Sequence, residues 1–351
     1  MFSFSYEEIN DEWSEYCLKN LKDIGLSWKV ISKNINITPS TIQKNINKSW
    51  DYRLLSSNPN ITWEIVQENS DKPWDYWELS KHPNITWEIV QANPDESWNY
   101  EFLSANPNIT WEIVESNPQE DLYYAYDDEG WDWHYYWLSQ NINITWDIVK
   151  NNPPVRISCD NYWCYWWLSA NPNITWEIVQ ENPREPWSYK FLSMNKNITW
   201  EIVEANPDKP WCYSWLIKNP NITWEIVQAN PDKPWDYDEL SLDPNITWEI
   251  IQSTPDKPWN YDSLSKHPNI TWEIVQSNPD KPWDYNSLSK NPNLTFEIIK
   301  KNPRKKWNYI EMGTNEFTLE KEMFFRNKIF ELLRNNGSLI ATMIPCDDLT
   351  I

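Results

Sequence analysis

The hydrophobic and polar positions of this chain follow a pattern that repeats every 24 residues. A segment of the form Asn-Ile-Thr-Trp-Glu-Ile-Val recurs, and its aromatic residue falls at Trp63, Trp87, Trp111, Trp146, Trp176, Trp200, Trp224, Trp248, Trp272 and Phe296. The spacing is 24 residues except at the two steps that end at Trp146 and Trp176, which are longer by 11 and 6 residues. A fixed period of this length predicts a solenoid of stacked repeats.

Each repeat predicts two short helices. In the first, a Thr precedes Trp-Glu-Ile-Val, so its hydroxyl can cap the helix and the Glu lies where a helix N-terminus favours negative charge. In the second, a Tyr follows a capping residue such as Asp51 or Ser188, and a Leu stands three residues after the Tyr in every copy except the last, Met312. Asn-Pro pairs end most of these helices, because proline cannot continue the backbone hydrogen bonds.

A β-structure is the alternative, since Ile-Thr-Trp-Glu-Ile-Val is rich in β-branched and aromatic residues. The chain has 26 prolines and only four glycines, which is too few for a stack of tight turns. The pattern therefore favours an all-α fold: an elongated solenoid of about ten 24-residue repeats, each with one α-helix and one α- or 3₁₀-helix. Helices this short need contacts between repeats, so a single repeat is not expected to fold.

The string Leu-Ser-x-Asn-Pro-Asn-Ile-Thr resembles the leucine-rich repeat variant family, whose solenoid alternates an α-helix with a 3₁₀-helix. The Trp-rich string NITWEIVQxNPDKPWDY is similar to tandem-repeat proteins of giant DNA viruses of amoebae. The two resemblances cover about residues 50–307. They imply a helical solenoid and a viral source, with a location in the host cytoplasm or the virion, and they bring no catalytic residues.

Three regions are predicted along the chain. Residues 1–49 contain a degenerate repeat, in which Trp28, Ile31 and Asn34 fall in the Tyr, Leu and Asn positions, and form an N-terminal cap. Residues 50–312 form the repeat solenoid, with long loops near 119–131 and 153–161. Residues 313–351 form a C-terminal capping helix and tail.

Composition narrows the possible partners. The net charge of −22 disfavours binding to nucleic acid or to an anionic membrane surface. No apolar run approaches the ~20 residues that span a bilayer, and the acidic N-terminus lacks the apolar core of a signal peptide. The five cysteines have no repeating spacing, which is not a disulfide framework. We therefore expect a soluble protein that is not secreted.

One variable position predicts a binding surface. Two residues after the Tyr, five consecutive repeats carry an aromatic residue: Phe102, Trp137, Trp167, Phe191 and Trp215. Repeats nearer the C-terminus carry Glu or Ser there, which a core position would not allow, so we expect this position to be partly exposed. We expect these residues to bind a protein partner together with aromatic residues of the first long loop, Tyr123, Tyr124, Tyr126 and Trp131. The alternative is that the long loops simply cover Trp137 and Trp167.

Charged residues are also unevenly distributed. A Glu, or once Asp147, follows the first aromatic residue of every repeat, and we interpret this row as compensation of the helix dipoles. Near the C-terminal end of the array lies a basic segment, formed by Lys290, Lys300, Lys301, Arg304, Lys305 and Lys306. It predicts contact with an acidic partner or self-association with the acidic side of another copy.

The sequence gives little support for catalysis. There is no phosphate-binding loop, no nucleotide-binding glycine pattern and no metal-ligand spacing of Cys and His, so neither a cofactor nor a metal is expected. The favoured hypothesis is a non-enzymatic protein-binding scaffold. The alternatives are a self-assembling structural component of a virion or viral factory, and a hydrolase that uses Asp127, Asp128 or Glu129 of the long loop.

Overall fold

The computed structural model describes residues 5–117, 133–153 and 162–336, and these residues form helices and no strands. The prediction of an all-α repeat solenoid is confirmed. The chain divides into two compact units: Met1–Trp74 with Thr247–Pro255 and Trp259–Ile351, and Asp75–Ile246 with Asp256–Pro258. The first unit thus contains both terminal segments of the chain.

Two helices alternate along the array. The Tyr helices, which begin at the invariant Tyr, are α4 Tyr52–Ser56, α6 Tyr76–Ser80, α8 Tyr100–Ala105, α10 Tyr135–Leu138, α12 Tyr165–Ala170, α14 Tyr189–Leu192, α16 Tyr213–Leu216, α18 Tyr237–Leu240, α20 Tyr261–Ser265, α22 Tyr285–Leu288 and α24 Tyr309–Met312. The Trp helices are α5 Trp63–Glu68, α7 Trp87–Ala92, α9 Trp111–Ser116, α11 Trp146–Asn151, α13 Trp176–Glu181, α15 Trp200–Ala205, α17 Trp224–Ala229, α19 Trp248–Ser253, α21 Trp272–Ser277 and α23 Phe296–Lys301. Before the array lie α1 Tyr6–Asp23, α2 Trp28–Ile31 and α3 Pro39–Lys44, and after it lies α25 Thr318–Asn336.

The predicted capping is correct only in part. Asp51 accepts the backbone N–H of Leu54, as predicted, and Thr145 accepts that of Ile148. Thr62 and Ser188 make no such bond, so the prediction is wrong for them. The hydroxyls of several such Thr residues bond instead to the Glu two residues later, and the Thr86 hydroxyl lowers the pKa of the Glu88 carboxyl in this way.

Buried Leu residues of the Tyr helices form the core of the array. From Leu55 to Leu288, these side chains are at most 3% exposed. Burial of one such side chain stabilises the fold by about 2 kcal/mol. Because each helix has only one or two turns, this packing rather than helix propensity holds the array together.

Two ladders of side-chain hydrogen bonds join neighbouring repeats within each unit. A buried Ser after the core Leu accepts the backbone N–H of the next repeat's capping residue, as Ser169 Oγ accepts that of Ser188 at 2.9 Å. A buried Asn two residues before the Asn of most Asn-Ile-Thr segments donates to two or three carbonyls of the preceding repeat. Asn195 Nδ2 lies 2.9 Å from the Ser169 oxygen and 3.1 Å from the Asn171 oxygen. The repeats are therefore locked in register by buried polar groups that are fully paired.

The two insertions leave this register unchanged. In a regular repeat, the indole N–H of the second Trp donates to the carbonyl that ends the Trp helix, as Trp74 donates to Asn69 at 2.9 Å. Trp133 makes the same bond to Asn117 at 3.1 Å, and Trp163 makes it to Asn152 at 2.8 Å. The described residues on either side of each extra segment thus keep the bond of a regular repeat, while the predicted loops near 119–131 and 153–161 lie largely outside the described residues.

The two terminal segments contact each other, which differs from the expectation of two separate caps. Asn34 Nδ2 donates to the carbonyls of Gly313 and Asn315, at 3.0 and 3.3 Å. Asn36 Nδ2 donates to the carbonyls of Asn315 and Glu316, at 3.3 and 2.8 Å. We call this contact the terminal junction. The C-terminal helix was predicted from its apolar pattern, whereas α1 and its packing were not.

Candidate partner-binding surface

The five aromatic residues predicted from the variable position lie on consecutive Tyr helices of the second unit, α8, α10, α12, α14 and α16. All five side chains are half-buried. We call Phe102, Trp137, Trp167, Phe191 and Trp215 the aromatic strip. Their burial is between that of a core residue and that of a freely exposed one, so part of each side chain is accessible to a partner.

Rings of the strip contact each other at three of its four steps, all except the step from Trp137 to Trp167. Phe102 lies 5.6 Å from Trp137 between ring centroids. Phe191 lies 5.5 Å from Trp167 and 4.8 Å from Trp215. Such tilted and edge-to-face contacts are favourable aromatic geometries. The strip is therefore pre-organised, since little side-chain entropy remains to be lost when a partner binds.

Two exposed Trp residues widen the surface, and sequence reasoning missed them. Trp77 and Trp166 directly follow the invariant Tyr and are 59% and 61% exposed. Trp77 contacts Phe102 at 6.2 Å, and Trp166 stacks on Phe191 at 6.4 Å with an interplanar angle of 9°. The signal was available in the sequence, because the residue after the Tyr is polar or charged in most other repeats.

A Lys–Glu pair borders the strip at each end. At one end, Lys81 Nζ lies 3.9 Å from the centroid of Phe102 and 3.4 Å from a carboxylate oxygen of Glu78. At the other end, Lys218 Nζ lies 5.8 Å from the centroid of Trp215 and 3.0 Å from a carboxylate oxygen of Glu239. These two Lys–Glu pairs mark the ends of the aromatic strip, which spans five repeats.

Two buried donors in the middle of the strip have no hydrogen-bond partner within the part of the chain that the structure describes. They are Trp167 Nε1 and Gln140 Nε2. Gln140 follows a buried Ser, and Trp167 stands two residues after the Tyr of the next repeat. Residues in these two positions meet elsewhere, as Lys290 and Glu311 do at 2.9 Å. A buried donor without an acceptor is costly, but both atoms lie below the surface, so a ligand oxygen can reach them only after a neighbouring side chain moves.

The other predicted binding residues, Tyr123, Tyr124, Tyr126 and Trp131, lie outside the described residues. The alternative in which the loops cover Trp137 and Trp167 concerns the same segments. The carboxylates of the hydrolase hypothesis, Asp127, Asp128 and Glu129, fall in the first of them as well.

The basic segment contacts residues of the same chain. Lys290 pairs with Glu311, and Lys301 pairs with Glu297. Lys300 Nζ donates to Asn20 Oδ1 at 2.7 Å. Lys305 Nζ lies 4.5 Å from the ring centroid of Tyr285. Self-association through this segment stays a prediction, and it would have to compete with these contacts.

Neither a metal centre nor a membrane span is found across residues 5–117, 133–153 and 162–336. No group of three or more His, Cys, Asp or Glu side chains is placed to hold an ion there. No helix in these ranges is long and apolar enough to cross a bilayer. The described cysteines, Cys17, Cys164 and Cys212, are free thiols. Among the described residues, the aromatic strip is therefore the candidate functional site.

Comparison with known proteins identifies no relative. No protein-family model, no curated protein and no solved structure matches the chain.

Proposed function

We propose that this chain is a non-enzymatic protein-binding scaffold, in which the aromatic strip holds a segment of a partner protein. The observation that carries the proposal is a row of half-buried aromatic rings in five consecutive repeats, which contact each other at three of the four steps and are joined by the exposed Trp77 and Trp166. The framework tolerates a smaller side chain at this position, because Ser263 and Ser287, both buried, occupy it in other repeats. Large aromatic residues where a Ser suffices for the fold are typical of interface anchors.

The surface favours a partner segment in an extended conformation. The rings advance from one repeat to the next, so a chain laid along them can place successive apolar side chains on successive rings. Trp167 Nε1 and Gln140 Nε2 are two buried donors at mid-length, and a partner carbonyl can reach them only if neighbouring side chains move. An extended segment has free backbone carbonyls for such a contact, whereas a helix uses its carbonyls internally. We therefore propose an apolar or proline-containing segment rather than an amphipathic helix.

The charge of the molecule supports a protein partner over nucleic acid. The net charge is −22, and the Lys residues at the two ends of the strip are paired with Glu78 and Glu239. A phosphate backbone would meet repulsion over most of the surface. The viral source and the location in the host cytoplasm or virion are proposals that rest on the sequence resemblance alone.

A displayed library of random peptides tests the proposal. Peptides selected on the intact protein are synthesised, and their Kd values are measured by calorimetry against two variants. Trp166→Ala removes an exposed ring that stacks on the strip. Ile310→Ala is the matched control, because Ile310 also follows the invariant Tyr, is 70% exposed and belongs to the first unit.

We expect Trp166→Ala to weaken binding by at least ~10-fold, about 1.4 kcal/mol, and Ile310→Ala to leave it unchanged. Both changes should alter the free energy of unfolding by less than ~0.5 kcal/mol, because both side chains are largely exposed. Selected peptides that bind both variants as tightly as the natural chain would place the binding surface elsewhere and contradict the proposal.

A further inference from the structure

The terminal junction uses the bonds that join consecutive repeats. In the first unit, Asn58 Nδ2 donates to the carbonyls of Ser32 and Asn34, which occupy the Ser and Asn positions of the preceding repeat. At the junction, Asn34 donates to Gly313 and Asn315, which occupy the same two positions in the last repeat. The degenerate first repeat therefore sits on the last repeat as if it were the next one in the array.

Gly313 shows that this contact is close and specific. Nearly every other repeat has Ser at this position, and Gly313 is the only glycine found there. A Cβ atom on Gly313 would lie 2.3 Å from Val30 Cγ1 and 2.8 Å from the Val30 oxygen. Because its φ is not positive, backbone conformation does not require glycine here. The glycine serves the approach of the first repeat.

The two long helices extend the junction. Trp13 and Tyr16 of α1 lie 5.5 and 5.3 Å from Phe324 of α25 between ring centroids. The Tyr16 hydroxyl donates to Glu320 Oε1 at 2.7 Å. Lys328 Nζ lies 2.5 Å from a carboxylate oxygen of Glu12. The interface thus combines aromatic packing, a hydrogen bond and an ion pair between residues about 300 positions apart.

We infer that the terminal junction is also an interface between copies of this chain, with the first repeat of one copy seated on the last repeat of another. The two faces are different and complementary, so the contact is of the head-to-tail kind. When two copies exchange identical elements, each junction of the dimer has the same contacts as the junction within a single chain. The exchanged dimer therefore has the same junction contacts as two closed monomers. This inference does not depend on the proposed binding role of the aromatic strip.

Intramolecular closure dominates in dilute solution, because the two segments of one chain see each other at a higher effective concentration than segments of different chains do. Exchange therefore requires that the junctions of different copies are open at the same time. It also requires a protein concentration high enough to compete with closure within one chain. Refolding from denaturant provides this condition, since every junction is open when folding begins.

The test refolds an equimolar mixture of natural-abundance and heavy-isotope chains at concentrations from ~10 μM to ~1 mM, followed by dilution and native mass spectrometry. We expect dimers that contain one chain of each mass, in a fraction that rises with refolding concentration. Gly313→Ser, which introduces the usual residue of the repeat, should abolish them because its Cβ clashes with Val30. Val30→Ala combined with Gly313→Ser should restore them in part.

A second variant, Asn34→Asp, distinguishes loss of the junction from misfolding of the Gly313→Ser variant. Asn34→Asp keeps the side-chain volume but removes the donor to Gly313 and Asn315, and it should reduce the mixed dimer by at least ~10-fold. Circular dichroism verifies that the repeats of each variant are helical. The inference is overturned if no mixed dimer forms at the highest concentration, or if Gly313→Ser and Asn34→Asp form as much of it as the natural chain does.

Discussion

At the scale of single residues, the array separates positions that hold the fold from positions that vary. The buried Asn of the ladder uses both ends of its amide, since Asn195 Oδ1 accepts from the Asn197 backbone while Nδ2 donates to the preceding repeat. His82 replaces this Asn in one repeat, and its Nδ1 accepts from the Asn84 backbone in the same way. The ladder position thus tolerates only side chains that can act as acceptors for the local turn.

The two neighbours Trp167 and Leu168 allow this separation to be measured. Leu168 is fully buried, and Leu168→Ala should lower the free energy of unfolding by ~2 to 4 kcal/mol through lost burial and the cavity it leaves. Trp167→Ser should cost less than ~1.5 kcal/mol, because the ring is only half-buried and its removal also removes a buried unpartnered N–H.

Chemical denaturation of the two variants, with equal m-values, makes the comparison. A larger loss for Trp167→Ser than for Leu168→Ala would mean that the aromatic strip belongs to the core, and its assignment as a binding surface would be withdrawn.

At the scale of elements, the repeats that carry most of the strip have the weakest helix caps. His134, Cys164, Ser188 and Cys212 precede α10, α12, α14 and α16, and none makes a side-chain cap bond. Asp236 precedes α18, beyond the strip, and accepts two backbone N–H groups.

A cap can therefore be added where it is missing. Cys212→Asp should stabilise the protein by about 1 kcal/mol, because the new carboxylate can accept the N–H groups of the first helical turn as Asp236 does. Cys212→Ala is the control for loss of the thiol. Thermal unfolding of both variants decides the point, and equal Tm values for Asp and Ala would show that α16 does not need a cap.

The helices of the array could be predicted from sequence because their signals are local. An invariant Tyr or Trp after a capping residue and before Asn-Pro marks nearly every helix within a few residues. The packing of α1 on α25 and the bonds of Asn34 could not, because they join segments about 280 to 300 residues apart. Two sequence features are nevertheless consistent with these contacts. Asn34-Ile35-Asn36 has the same spacing as Asn58 and Asn60, and Gly313 replaces the usual Ser.

The candidate site was predicted to a similar extent. Phe102 and Trp215 were found because one position changes from aromatic to polar along the array. Trp77 and Trp166 were missed because the neighbouring position was not compared across repeats. The Lys81 and Lys218 contacts could not be predicted, since they depend on which residues of adjacent repeats face each other.

At the scale of the whole molecule, one buried carboxylate lies within the contact between the chain's two terminal segments. Glu320 accepts hydrogen bonds from the Tyr16 hydroxyl and from the Phe296 backbone, both at 2.7 Å. Burial nevertheless raises the pKa of the Glu320 carboxyl above its ordinary value of 4.5. The ionised form is therefore less favourable in the folded state than in the unfolded chain.

The raised pKa of Glu320 makes the free energy of unfolding depend on pH, because proton binding and folding are linked. A raised carboxyl pKa contributes stability that is fully present below about pH 4.5 and is lost as the pH rises through the raised pKa. Glu320→Gln removes this dependence, since the amide can accept from the Phe296 N–H and donate to the Tyr16 oxygen. Relative to the natural chain, the variant should gain stability between pH 4 and pH 7.

Urea unfolding of both chains across this pH range gives the difference directly, because all other carboxyl groups are common to the two proteins. A difference that stays constant with pH, or falls as the pH rises, would show that Glu320 ionises without penalty.

The indole bonds of Trp133 and Trp163 also bear on how this protein can change over time. Each bond restores the register after a connection of altered length, from Asn117 in one case and from Asn152 in the other. Length and composition of the connecting segment are thereby uncoupled from the stability of the repeats on either side. Natural selection can lengthen, shorten or replace a connection at any equivalent point without a single change in the core.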